Sequence, residues 1–268
     1  LVKGKIVREL NKKECDAVAG GLEPIYVYAD APSLPSFYWD YDPPGFPYYS
    51  SSPVSGGGGG GAAKPPPAGA GAGTTTGLGS GIDDIIHLSP IMSSELANIE
   101  SWGYTFVADG KSYTDYTTHQ IHVDTSLPTQ DMMGALAHEF GHAMFEHYYG
   151  LPQYTLSQSD YVAGWMNNEG YAQVNAIRIT QDMPGGTNVI KLEGTSAAQI
   201  QSEYSAYQTA GQHYETDPTF PERGVDMLIY QGHAVGVTLN GETAIVNSDG
   251  TTVNYNQMYS NAWAANHH

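Results

Sequence analysis

Cysteine is almost missing from this chain: Cys15 is the only one in 268 residues, so no disulfide framework holds the fold. Basic residues are scarce too, with ten Lys and Arg against 28 Asp and Glu and a formal net charge of −18. Such an acidic surface argues against nucleic acid or anionic lipid as a partner. No apolar run approaches the roughly 18 residues that a membrane span requires. The N-terminus lacks the long apolar stretch of a Sec signal peptide. No D-x-D-x-D-G loop marks a calcium site.

What is present is His138-Glu139-Phe140-Gly141-His142, an H-E-x-x-H run. Residues four apart share one face of an α-helix, so His138 and His142 can offer two imidazoles to one metal ion. Glu139 stands within reach of a water on that metal, which is the zinc-peptidase pattern of two ligands and a general base. At this chain's frequencies of His and Glu, about 0.02 such matches arise by chance. Met133, Ala137, Phe140 and Met144 recur at helical spacing, with Thr129 as N-cap and Gly150 and Pro152 at the far end. They predict a helix over 129–149. The plain alternative is a pair of surface histidines on an ordinary helix.

Catalytic zinc usually takes three protein ligands and leaves one position for water. The extended motif H-E-x-x-H-x-x-G-x-x-H does not supply the third ligand. Phe145 stands in place of its glycine, Tyr148 in place of its last histidine, and His147 is one residue short. A second predicted helix, 158–181, carries the apolar stripe Val162, Trp165, Met166, Ala172, Ala176 and Ile179, and Glu169 falls on that stripe. A carboxylate on a buried face is costly unless it is paired or binds a metal. A metal held by His138 and His142 resolves the conflict. A salt bridge to Arg178 or Lys191, or a helix rotated to expose Glu169, would resolve it differently.

H-E-F-G-H followed by Trp165-Met166-Asn167-Asn168-Glu169-Gly170-Tyr171-Ala172 resembles the gluzincins, zinc peptidases whose third ligand is a downstream glutamate. The second run is similar to the W-x-N-E-G-F-A of M1 aminopeptidases, with one residue inserted. The resemblance covers roughly 129–180 and implies zinc held by His138, His142 and Glu169, with Glu139 as general base. Twenty-six residues separate His142 from Glu169, more than the usual M1 interval, and no G-x-M-x-N motif precedes the histidines. The resemblance is therefore to the broader clan and not to aminopeptidases. Gln173 stands where thermolysin-like enzymes place an aspartate that supports a zinc histidine, which leaves that support open.

The segment from Arg8 to Gly21 resembles a bacterial double-glycine leader. Val18, Cys15, Leu10 and Val7 lie 4, 7, 12 and 15 residues before a cut after Gly20-Gly21. The resemblance implies cleavage by the peptidase domain of an ABC exporter and a secreted product. The competing reading is an amphipathic helix ending on a Gly-Gly cap. Residues 1–21 hold five of the ten basic residues and three acids, so cleavage would leave a net charge of −20. Residues 22–81 read as a disordered linker, Pro/Tyr-rich and then Gly-rich with six glycines at 56–61. Such sequence buries too little to offset the entropy of ordering it.

The remaining span, 82–268, is expected to form one zinc metallopeptidase domain, α+β and zincin-like. Residues 93–102 suggest a helix, and 104–108 and 119–124 suggest strands around an Asp109-Gly110 turn. His119 and His122 then face opposite sides of a strand and serve as surface or substrate-edge residues. Residues 196–210 suggest a third helix. Residues 233–255 suggest a C-terminal β-meander with turns at Asn240-Gly241 and Asp249-Gly250. The expected reaction is zinc-dependent hydrolysis of a peptide or protein, with Glu139 as base. Oxyanion donors are sought among Tyr171, His213, Tyr214, Tyr230 and His233, with Tyr230 and His233 preferred. An exported bacteriocin-like toxin and a non-catalytic zinc-binding protein are the other readings.

Overall fold

A computed structural model describes residues 75–192, 197–216, 227–239, 243–246 and 252–267. The expected leader, the expected linker up to residue 74, and the expected Asn240-Gly241 and Asp249-Gly250 turns lie outside the described residues. The elements run α1 (Ser80–Ile86), α2 (Pro90–Ser101), β1 (Thr105–Asp109), β2 (Tyr113–Asp115), β3 (Gln120–Asp124), α3 (Thr129–Tyr149) and α4 (Gln158–Asp182). There follow α5 (Ala197–Thr216), α6 (Met227–Leu239), β4 (Thr243–Val246), β5 (Thr252–Asn254) and α7 (Tyr255–Asn266). The architecture is α+β, mostly helical, with one small three-stranded sheet and a two-stranded one. No helix among the described residues is long and apolar enough to cross a membrane.

Local chemistry sets the helix starts. Ser89 caps α2 by accepting the Met92 amide at 3.0 Å, with Pro90 at the first helical position. Asp182, at the far end of α4, accepts from the Ser89 hydroxyl at 2.6 Å and the Ile91 amide at 3.2 Å. The two helix ends are thereby tied together. Ser157 caps α4 through the Asp160 amide, and α3 stops at Gly150, whose φ of 73° suits glycine. Packing begins at the first described residues: Thr76 bonds to the Asp83 carboxylate through its amide and its hydroxyl.

The main core lies under α3. Met133, Leu136, Ala137 and Phe140 pack with Ile86, Met92, Leu96, Ile99, Ile121, Val123, Ile177 and Ile179. Each fully buried large side chain contributes about 1.5–3 kcal/mol. A second cluster joins Tyr161, Val162, Trp165 and Met166 of α4 to Leu239 and Tyr259. Helix α3 is buried without a break from Met132 to Phe145, which places the H-E-x-x-H run inside the molecule.

Glycines let the helices touch. A β-carbon at Gly141 would lie 2.4 Å from the α-carbon of Ala172, and one at Gly170 would lie 1.9 Å from the carbonyl oxygen of Gly232. Helix α4 therefore meets α3 and α6 backbone to backbone.

Two expectations are overturned. The strands flanking Asp109-Gly110 do not pair as a hairpin. β1 runs parallel to β3, and β2, unforeseen, pairs antiparallel on the other side in the order β1-β3-β2. The C-terminal meander is not formed either. Residues 227–239 are helical, only β4 and β5 pair, and residues from Tyr255 onward form α7. The β-branched Val235, Val237 and Thr238 suit a strand locally. The close approach of Gly232 and Gly236 to α4 overrides that preference. Asn254 then starts α7 by accepting the Gln257 amide at 2.7 Å.

Candidate metal centre

His138 and His142 project from adjacent turns of α3 toward Glu169 of α4. Their Nε2 atoms lie 3.5 and 3.6 Å from the same oxygen of Glu169, Oε2. The three side chains are buried, and one ligand atom of each lies within 4.8 Å of the other two. This buried His-His-Glu group can hold a metal ion. The alternative partners for Glu169 are engaged elsewhere: Arg178 with Glu95 and Lys191 with Asp131.

The other oxygen of Glu169, Oε1, accepts a hydrogen bond from the Tyr259 hydroxyl. The Tyr259 bond leaves Oε2 to face the imidazoles. Burial pushes the Glu169 carboxyl up, but His142, His138 and the Tyr259 bond outweigh it and bring the group to about 2. Burial holds His142 down to about 4, against the pull of Glu169. A carboxylate and a neutral imidazole are the forms that bind a metal.

Each histidine is gripped on its far side by a carboxamide from α4. His142 Nδ1 lies 2.7 Å from Asn168 Oδ1, and His138 Nδ1 lies 3.3 Å from Gln173 Oε1. Asn168 Nδ2 donates in turn to the Tyr116 hydroxyl at 3.1 Å. Gln173 Nε2 donates to Glu203 of α5. An imidazole that donates from Nδ1 presents the lone pair of Nε2, so these contacts aim both rings at Glu169.

Glu139 is buried, and its Oε2 accepts from the Thr114 hydroxyl at 2.7 Å. Thr114 sits on β2, so the unforeseen strand is the element that braces this carboxylate. Tyr116, just past β2, is half-buried. Burial raises its hydroxyl well above the ordinary range, against the Asn168 bond; Glu169 and Glu139 push the same way as burial. Among the described residues, nothing accepts the Tyr116 hydroxyl hydrogen.

The residues expected to stabilise an oxyanion make the following contacts. His233, on α6, has its Nδ1 2.9 Å from Asn167 Oδ1. Asn167 is two residues from Glu169, about 200° around the helix, so α6 holds His233 on the face of α4 turned away from the Glu169 side chain. Tyr230 pairs with His213 Nδ1 at 3.2 Å, and Tyr214 packs beside it. Tyr171 is buried beside Phe145 and Tyr149. His122 stacks on Tyr113 with its Nδ1 3.0 Å from Asp109, and the exposed His119 reaches toward Glu146.

Sequence reasoning did not single out Thr114, Tyr116, Asn168, Glu203 or Tyr259. For Asn168 a signal existed, because a carboxamide on a buried helix face needs a partner. For Tyr116 and Tyr259, in a loop and in an unpredicted helix, there was none. No known protein family, curated protein or solved structure matches this chain.

Proposed function

We propose that this protein is a zinc-dependent peptidase of the gluzincin kind, its helices and small sheet forming a zincin-like domain. The observation that carries the reading is the convergence of His138, His142 and Glu169 on one point, with the Glu139 carboxylate on the same helix braced by Thr114. Ligands about 2.0–2.1 Å from a tetrahedral zinc stand about 3.3–3.4 Å apart. The separations of 3.5 and 3.6 Å to Glu169 Oε2 suit that geometry. Two imidazoles and a carboxylate are also a donor set that zinc favours. Among the described residues the group offers three ligands, which favours an open catalytic position over a closed structural one.

Bound zinc would supply Lewis acidity and a water of lowered pKa. His138, His142 and Glu169 would hold it, and Tyr259 would keep Glu169 Oε1 occupied so that Oε2 serves as the ligand. Glu139 would take a proton from the attacking water at a carboxylate oxygen and deliver it to the leaving nitrogen. Thr114 keeps that carboxylate from rotating away. Tyr116 would be the donor for the developing oxyanion: its oxygen is occupied by Asn168, and its own hydrogen remains to be given.

The reading is tested by incubating the zinc-loaded full chain with a proteome-derived peptide library and reading new termini by mass spectrometry, beside Glu139→Gln. The expected result is a defined set of cleavages, reduced about 10²–10⁴-fold in the variant at equal zinc content. Cleavages that persist undiminished in Glu139→Gln, or none from the zinc-loaded wild type, would overturn it.

A further inference from the structure

Glu203 has no part in the chemistry above, yet its place is unusual. It sits on α5 with no solvent exposure. Among the described residues no lysine or arginine pairs with it. Its hydrogen-bond partners are two carboxamides: Gln173 Nε2 donates to Oε2, and Gln199 Nε2 donates to Oε1 at 2.9 Å. A buried carboxylate without a cation is expensive to keep. A role confined to joining α4 to α5 would be met as well by a neutral side chain.

The donor and acceptor inventory points to another role. A carboxylate oxygen only accepts, so the side of Gln173 that faces Glu203 must be its NH₂. The Gln173 carbonyl oxygen is then forced to face His138 Nδ1, 3.3 Å away. That oxygen can only accept, so His138 must carry its hydrogen on Nδ1 and present its Nε2 lone pair toward Glu169, 3.5 Å off. Without Glu203 the amide is free to turn over. Its NH₂ would then face Nδ1, favour the Nε2–H tautomer, and close the ring to a metal. The support that thermolysin-like enzymes draw from a directly bonded aspartate would here be relayed through an amide from a different helix.

We propose that Glu203 is a positioning residue for the metal centre: through Gln173 it fixes the tautomer and ring orientation of His138. The inference rests on the metal-binding reading of His138, His142 and Glu169 but is tested apart from it. Hydrogen-bond counting picks the variants. In Glu203→Gln the new amide must meet two NH₂ groups with one oxygen, so one donor is opposed or Gln173 flips. In the double variant Gln173→Glu/Glu203→Gln every donor again has an acceptor. The carboxylate at 173 takes His138 Nδ1–H and the amide of 203, and the oxygen of 203 takes Gln199.

The full chain is examined in two ways. Imidazole ¹⁵N shifts of the zinc-free protein report the His138 tautomer, and zinc competition against a chromophoric chelator reports affinity. The expected wild-type state is the Nδ1–H tautomer. Glu203→Gln should populate the Nε2–H form and weaken zinc binding about 10–100-fold. The double variant should recover the wild-type tautomer and come within a few-fold of its affinity. A purely structural role moves stability in the single variant but gives no tautomer change and no recovery. Wild-type tautomer and affinity in Glu203→Gln would overturn the relay, as would failure of the double variant to recover the tautomer while folded. A wild-type protein that shows the tautomer shift on mutation yet binds no zinc would instead remove the metal-binding reading and leave the relay standing.

Discussion

Gly141 stands against Ala172 so closely that a β-carbon on the glycine would lie 2.4 Å from the Ala172 α-carbon and 3.0 Å from the β-carbon of Asn175. The fourth residue of H-E-x-x-H is therefore a packing residue. It lets α4 come near enough to α3 for the Glu169 carboxylate to reach both imidazoles. Both obstacles belong to a helix, so neither can swing aside as the end of a flexible side chain would.

Gly141→Ala should thus act on stability and on the metal site together. Prying α3 and α4 apart costs about 1–3 kcal/mol, as overpacking of a well-filled core does, despite alanine's higher helix propensity. Urea unfolding of the zinc-free chain should show the loss, and zinc titration should show weaker binding. A variant as stable as wild type with unchanged zinc affinity would mean that the helices do not need this contact.

Glu169→Ala tests the ligand set directly. Removing the carboxylate leaves two imidazoles, and zinc retention should fall by more than about a hundredfold, beyond what loss of an outer partner does. Tyr259→Phe is the milder companion. It frees Glu169 Oε1 without removing Oε2 and should weaken zinc about tenfold or more. Metal analysis after dialysis against a graded chelator series ranks the three proteins. Equal retention in wild type and Glu169→Ala would strike Glu169 from the site.

Tyr116→Phe separates binding from turnover. The phenol's oxygen is held by Asn168, and in the proposed mechanism its hydrogen is the one offered to substrate. Losing one oxyanion donor typically lowers kcat about 10²–10³-fold. KM should change little and zinc content not at all. A fall in zinc content equal to the fall in rate would make Tyr116 a support of His142 through Asn168 and not a donor.

The elements that position the site were the legible ones. Helix α3 spans Thr129–Tyr149, as its apolar spacing and Gly150 predict, although Pro128 and not Thr129 stands at its N-cap and no side chain caps it; Glu169 betrayed itself as a charge on an apolar stripe. That Gln173 stands where thermolysin-like enzymes have an aspartate was also legible. Its substitute, Glu203, was not, because it lies 30 residues downstream on a mostly polar helix and acts through another side chain. Residues 233–239 were misread because Val235, Val237 and Thr238 favour strands locally. The decisive contact, Gly232 and Gly236 against α4, is tertiary. Tyr116 follows the three-residue strand β2, and Tyr259 lies on a helix that follows the three-residue strand β5, where local patterns say little.

Glu95 offers a prediction outside the metal centre. It lies buried on α2, with Oε2 accepting from Asn175 Nδ2 at 2.9 Å and Oε1 3.9 Å from the Arg178 guanidinium. Burial raises its carboxyl from 4.5 to about 7, against the pull of Arg178 and Asn175. The sign follows from linkage. Between about pH 4.5 and pH 7 the folded protein keeps the proton and the unfolded chain gives it up, so stability falls as pH rises through that window. From pH 5.5 to 8 the loss is about 2 kcal/mol, from roughly 1.4 kcal/mol per pH unit up to the folded value. Glu95→Gln keeps an oxygen for Asn175 but has no proton to lose, so its stability should not carry this slope. Urea midpoints of the zinc-free wild type and variant at the two pH values test it: the variant should gain about 2 kcal/mol relative to wild type on going from 5.5 to 8. A difference between the two proteins that stays constant with pH would show that Glu95 is already ionised in the fold and that Arg178 outweighs its burial.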